Sequence, residues 1–234
     1  MCEQCALLSR RSLLSAGLGG LAATLAVGTA SAAGPTTTLN SEQALAALRE
    51  GNQRFVATPE ACVRDLAARR ASLAGNQAPF AIVMSCSDSR VPPELVFGGL
   101  GLGELFVVRT AGAVVDGAAL GTIEYGVAVL RAPLLVVLGH QSCGAVAAAC
   151  EVVTSNATFP GAIGGLINPL LPSAIAVRGQ PGDYIDNAVR ESVRRNVAGL
   201  TATGPVISAA VGEGRLRVLG ARYDLGSGTV EFIA

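Results

Sequence analysis

The sequence has no lysine and no tryptophan, a single histidine, and only 4% aromatic residues. Each shortage excludes something. All 17 basic residues are arginines, they are scattered, and 17 acids balance them. Zero net charge without a basic cluster gives no electrostatic footprint for a nucleic-acid partner. With no Trp and few other rings, the core has to be built from Ala, Val, Leu and Ile. That suits a mainly parallel sheet buried under helices. Long, strongly apolar runs are missing too. The weakly apolar stretch near the N-terminus is diluted by Gly, Ala and Thr, so it makes a poor permanent membrane span. The 234 residues suffice for one α/β domain with a full core, and neither an internal repeat nor a second domain is visible.

Residues 1–33 are expected to be a targeting segment. Arg10 and Arg11 form a twin arginine, a weakly apolar stretch follows, and small residues "ASAA" close it. This is the layout of a twin-arginine-type signal, with cleavage after Ala32 and an exported, periplasmic mature chain. Residues 34–39 read as a linker and 40–234 as the folded domain. Of the six cysteines, Cys2 and Cys5 would leave with the signal. Cys62 and Cys150 could pair in an oxidising compartment, but read more simply as small buried apolar residues.

Five apolar runs read as strands: "PFAIVMS", "ELFVVRT", "APLLVVLGH", "RLRVLGARYDL" and "GTVEFI". A Gly/Ser turn joins the last two, which predicts an antiparallel pair. Between the runs lie helical stretches. One opens at Asn40 or Ser41, others cover about 63–74 and 162–177, and more follow Val115, His140 and Gly182. Strands alternating with helices predict a three-layer α/β fold with a mainly parallel central sheet flanked by helices.

Two of the runs end on chemistry. "SCSDSR" places Cys86, Asp88 and Arg90 just past the first strand, and "GHQSCG" places His140 and Cys143 just past the third. In an open α/β sheet, sites form beyond the carboxyl ends of strands where strand order reverses. If the two strands are neighbours, Cys86, His140 and Cys143 meet there. Two thiolates and one imidazole make a zinc set. Three protein donors leave a fourth position for water, the pattern of a catalytic rather than a structural site. Asp88 is near enough to close that position. Arg90 offers a fork that can hold the carboxylate back, leaving it to orient a metal-bound water.

These residues resemble the β-class carbonic anhydrases. "CSDSR" with "VPPE", then "ELFVVRTAG", "GTIEYGV", "GHQSCGAV" and "RLRVLGARYDLGSGTV" follow that family's order, and "EGNQRF" is similar to its N-terminal helix motif. The resemblance implies a four-stranded parallel core with an added edge strand. It implies reversible hydration of carbon dioxide to bicarbonate and a proton by a zinc-bound hydroxide. One Zn2+ per subunit would sit on Cys86, His140 and Cys143, with Asp88 and Arg90 as the catalytic dyad and Asp88 a possible fourth ligand in a closed state. It further implies a homodimer or homotetramer. Two other readings use the same residues: a carbon disulfide or carbonyl sulfide hydrolase, and a zinc-binding protein without catalysis.

Overall fold

The five apolar runs become five strands of one sheet in the computed structural model, which describes residues 35–61, 66–202 and 204–233. The signal-like segment and Cys62 lie outside the described residues. The strands are β1 (Ala81–Cys86), β2 (Leu105–Thr110), β3 (Leu134–His140), β4 (Arg217–Tyr223) and β5 (Val230–Ile233). Their order is β2-β1-β3-β4-β5. The first four run parallel and β5 runs antiparallel to β4. Every residue of β1 and β3 is buried, which is why both read as unbroken apolar runs rather than alternating ones.

Among the described residues the helices are α1 (Ser41–Ala57), α2 (Leu66–Ser72), α3 (Pro93–Val96), α4 (Gly117–Ala128), α5 (Gly144–Ser155), α6 (Ile163–Ile167), α7 (Leu171–Ala176), α8 (Tyr184–Ala202) and α9 (Pro205–Gly212). Leu45 and Leu48 of α1 and Val96 of α3 pack on Val83, Val136 and Leu138. On the opposite face, Ile123 of α4, Val193 of α8 and Ile207 of α9 pack on Ile82, Leu135 and Val137. Helices therefore cover both faces, giving the expected three layers.

Asn40 caps α1. Its side chain accepts from the Gln43 N–H at 2.9 Å, and the Gln43 side chain accepts from the Asn40 N–H at 2.9 Å. This reciprocal box satisfies two N–H groups that the helix itself cannot. The motif "EGNQRF" has a packing reason as well. A Cβ on Gly51 would stand 2.0 Å from the Phe97 carbonyl oxygen, so only glycine lets α1 come this close. Buried Asn52 donates to the carbonyls of Val96 and Gly228 and accepts from the Val230 N–H. One side chain thus ties α1 to α3 and to the β4–β5 turn.

Residues 162–177, expected as one helix, are broken. α6 passes through a short 3-10 turn (Asn168–Leu170) into α7. Pro169 and Pro172 have no N–H to give, so a continuous ladder cannot form across them. The topology matters more for function. From β1 the chain moves outward to β2, then returns to place β3 on the other side of β1. The reversal leaves a crevice between the carboxyl ends of β1 and β3.

Candidate metal centre

Cys86 is the last residue of β1 and His140 the last of β3. Pairing between these strands runs from Ile82 with Leu135 to Ser85 with Leu138 and stops there. The strands part at the level of the two side chains. Cys143 completes the group from the N-cap position of α5, reached through a left-handed turn at Ser142 (φ 52°). The donor atoms of Cys86, His140 and Cys143 lie within 4.8 Å of one another, and all three residues are buried. The expected ligand set is therefore brought together by the fold.

The donors fit zinc. A tetrahedral centre with Zn–S bonds of about 2.3 Å separates two sulfurs by about 3.8 Å. Here Cys86 Sγ and Cys143 Sγ stand 4.0 Å apart. His140 Nδ1 is 2.8 Å from the Gln141 carbonyl oxygen, which can only accept, so Nδ1 carries the proton. Nε2 then presents a lone pair, yet it is buried without a hydrogen-bond partner. A buried polar atom in that state calls for a ligand, and a histidine oriented through its other nitrogen is the usual metal donor. The Gln141 carbonyl is itself fixed. Its N–H donates to the Tyr223 carbonyl at 2.9 Å, and its side-chain oxygen accepts from the Leu225 N–H at 3.2 Å.

The two sulfurs are not equivalent. A hydrogen bond from the Cys143 thiol is the leading cause that holds the Cys86 thiol well below its ordinary pKa, helped by the neighbouring backbone N–H groups of Gly112 and Asp88 and against the effect of burial. Cys143 is pushed the other way by Cys86 and by burial. Two thiolates this close repel each other, and a divalent cation between them removes the repulsion. The Gly112 N–H reaches Cys86 Sγ at 3.3 Å from a left-handed turn (φ 70°) that glycine adopts without strain.

Asp88 and Arg90 stand beside the group. Asp88 Oδ1 accepts from the backbone N–H and Nε of Arg90, both at 2.9 Å, and Oδ2 accepts from Nη2 at 2.7 Å. This fork, with Arg90 as the leading cause, holds the Asp88 carboxyl below the usual carboxylate range. Asp88 Oδ2 is 3.8 Å from His140 Nε2, too far for a hydrogen bond but in reach of an ion held there. A small cavity of about 10 Å³ adjoins the donors, walled by Ala113, Val146, Val189 and Val193, with Ser192 and Asn196 as its polar contacts.

Cys150 takes no part in the group. It is a buried free thiol on α5, in the cluster that includes Ile167 and Ala174, as expected of a small apolar residue. Sequence reasoning did not single out Gly112, Gln141 or Arg109. Arg109 carries the one available signal, a charge near the end of an otherwise apolar strand.

A family model described as carbonic anhydrase matches residues 81–230. The solved Coccomyxa β-carbonic anhydrase, a complex with acetazolamide, superposes with a TM-score of 0.64 at 28% identity, covering 81% of this chain and 86% of that one. The chain belongs to the β-carbonic anhydrase family. Carbonic anhydrase 2 of Mycobacterium tuberculosis is 42% identical over 182 residues, 78% of this chain and 87% of the relative. A tetrameric β-carbonic anhydrase of Sordaria macrospora superposes with a TM-score of 0.62 at 29% identity, covering 70% of this chain and 85% of that one. The carbonic anhydrase match begins at the first residue of β1 and ends at the first of β5, so it takes in all three donors and both strand ends that carry them.

Proposed function

We propose that the protein catalyses the reversible hydration of carbon dioxide to bicarbonate and a proton, with one zinc ion per chain on Cys86, His140 and Cys143. The observation that carries this reading is the convergence of those donors at the β1–β3 reversal, beside a forked Asp88–Arg90 pair, in a β-carbonic anhydrase chain. When bound, zinc supplies a Lewis acid that makes a water molecule nucleophilic near neutral pH.

The chain's own residues do the rest. His140 keeps its proton on Nδ1, committed to the Gln141 carbonyl, so Nε2 stays a donor. Asp88 is ionised and acceptor-only, so it fixes the direction of one O–H of the attacking water. Arg90 keeps the carboxylate from becoming a fourth ligand. The apolar wall of Ala113, Val146, Val189 and Val193 favours a small uncharged molecule over an ion. A site that served only to hold zinc would not need the Asp88–Arg90 fork.

The pH dependence follows from the donor set. Two thiolates cancel the charge of a divalent ion. With zinc held on this set, a water it activated would stay protonated to higher pH than in an all-histidine site, where the pKa is about 7. Hydration is expected to rise from neutral to alkaline pH. Stopped-flow rates with carbon dioxide, run beside carbon disulfide and carbonyl sulfide, test this. A profile falling above neutrality, or turnover of only the sulfur compounds, would count against the reading.

Two further features belong to it. The twin arginine at Arg10 and Arg11 supports export of the folded, metal-loaded protein, which would protect the thiolates from an oxidising compartment. Fractionation should find a periplasmic chain beginning near Ala33; cytosolic protein with an intact N-terminus overturns this. The edge strand β2 leaves Leu105, Phe106 and Val107 only half-buried, which supports a subunit contact and a homodimer or homotetramer. Light scattering on the purified protein should give two or four chains, and a monomeric mass contradicts it.

A further inference from the structure

Arg109 is the only charged residue of β2, whose other members are Leu105, Phe106, Val107, Val108 and Thr110. Its guanidinium reaches sideways to the neighbouring strand end. Nε donates to the Cys86 carbonyl at 2.9 Å and Nη2 to the Asp88 carbonyl at 2.6 Å. These acceptors lie where the sheet gives out, since β1 has no pairing with β3 beyond Ser85. The same turn is held at two more points. The Ser87 N–H donates to the Thr110 carbonyl at 3.0 Å, and the Val91 N–H to the Asp88 carbonyl at 3.0 Å. A planar guanidinium can bridge two acceptors in a fixed geometry; an ammonium cannot.

We propose that Arg109 is a positioning residue that sets where the Asp88 carboxylate stands relative to Cys86, His140 and Cys143. It works in series with Arg90. Arg90 lies on the same turn as Asp88 and its side chain is 55% exposed, so it travels with that turn. It fixes the carboxylate to the loop. Arg109 sits on a strand and fixes the loop to the sheet. The margin is small, because Asp88 Oδ2 is already 3.8 Å from His140 Nε2. A slight rotation of the Cys86–Asp88 peptides decides whether the carboxylate stands off or becomes a ligand. This inference rests on the function proposed above.

The test is a double-mutant cycle. Arg109→Met and Arg109→Lys are made in the wild-type and in the Asp88→Asn backgrounds. Zinc content, thermal midpoint, carbon dioxide hydration and the visible spectrum of the cobalt-substituted protein are measured for each. In the wild-type background Arg109→Met is expected to keep one metal per chain and lower kcat/KM about 100-fold, the scale of a ~1 Å misplacement. Arg109→Lys falls between wild type and Arg109→Met. In the Asp88→Asn background the same changes are expected to cost less than about threefold, because the group through which Arg109 acts is gone. The cobalt bands should shift in Arg109→Met and stay in place in Arg109→Met with Asp88→Asn. Those bands report the carboxylate's position whatever the reaction is, so failure of this inference and failure of the functional reading are distinguishable. Equal losses in both backgrounds, loss of metal, or unchanged rate and spectrum would each overturn the role. If Arg109→Met does not fold, Arg109→Lys carries the same comparison.

Discussion

Replacing Arg90 by alanine is expected to leave one zinc per chain and to lower carbon dioxide hydration by about 10²–10³-fold, the loss seen when a preorganised hydrogen-bond donor is removed from an active site. The zinc stays because Arg90 touches none of the three donors. The activity falls for two linked reasons. Arg90 makes three hydrogen bonds to the Asp88 carboxylate, two of them from the guanidinium. Without those two, the carboxylate is free to rotate toward His140 Nε2 and compete with water for the metal. It also loses the partner that holds it ionised, so its pKa moves back up toward the ordinary carboxylate range. Low pH deepens the loss, since fewer waters are then deprotonated to compete with the carboxylate. Metal analysis with hydration rates from acid to alkaline pH checks this. Near-wild-type rates with zinc fully bound would reduce Asp88 and Arg90 to a structural ion pair.

The second large effect separates two cysteines seven residues apart on the same segment. Cys143→Ala is expected to weaken zinc binding by more than about 100-fold, the upper end of what losing a mere supporting partner costs. Two donors remain, too few to hold the ion. Cys86→Ala and His140→Ala should behave alike. Cys150→Ala should keep full zinc, because its thiol lies among apolar side chains outside the donor group. Elemental analysis of the four purified variants decides the matter. Zinc retained in Cys143→Ala but lost in Cys150→Ala would mean that the donors are wrongly assigned.

The donor group was legible because rarity and position coincide. A lone histidine and two cysteines, each just past a buried apolar run, leave few other arrangements once β1 and β3 are neighbours. The sheet was legible for the same reason: strands buried on both faces must be apolar throughout. What was hidden is tertiary. Nothing local says that Arg109 reaches across to the carbonyls of Cys86 and Asp88, or that Gln141 is pinned by the β4–β5 turn, 84 residues away in sequence. The short helices were also hard to read. Pro205 opens α9 with only two residues between it and the end of α8 at Ala202, and Gly204 stands at positive φ (72°) just before it, so one Gly-Pro signal serves both to close a helix and to open the next. Asn40 and Ser41 could both cap α1 by composition; only the reciprocal bond with Gln43 distinguishes them.

The central claim is that hydration depends on zinc held by this chain's own three donors. The most direct test is stopped-flow carbon dioxide hydration by the purified mature protein, before chelation, after complete zinc removal, and during titration with zinc. The account predicts that activity disappears with the metal and returns in proportion to added zinc, reaching its plateau at one ion per chain. Hydration that persists in the zinc-free protein, or that stays absent at full zinc occupancy, would contradict it.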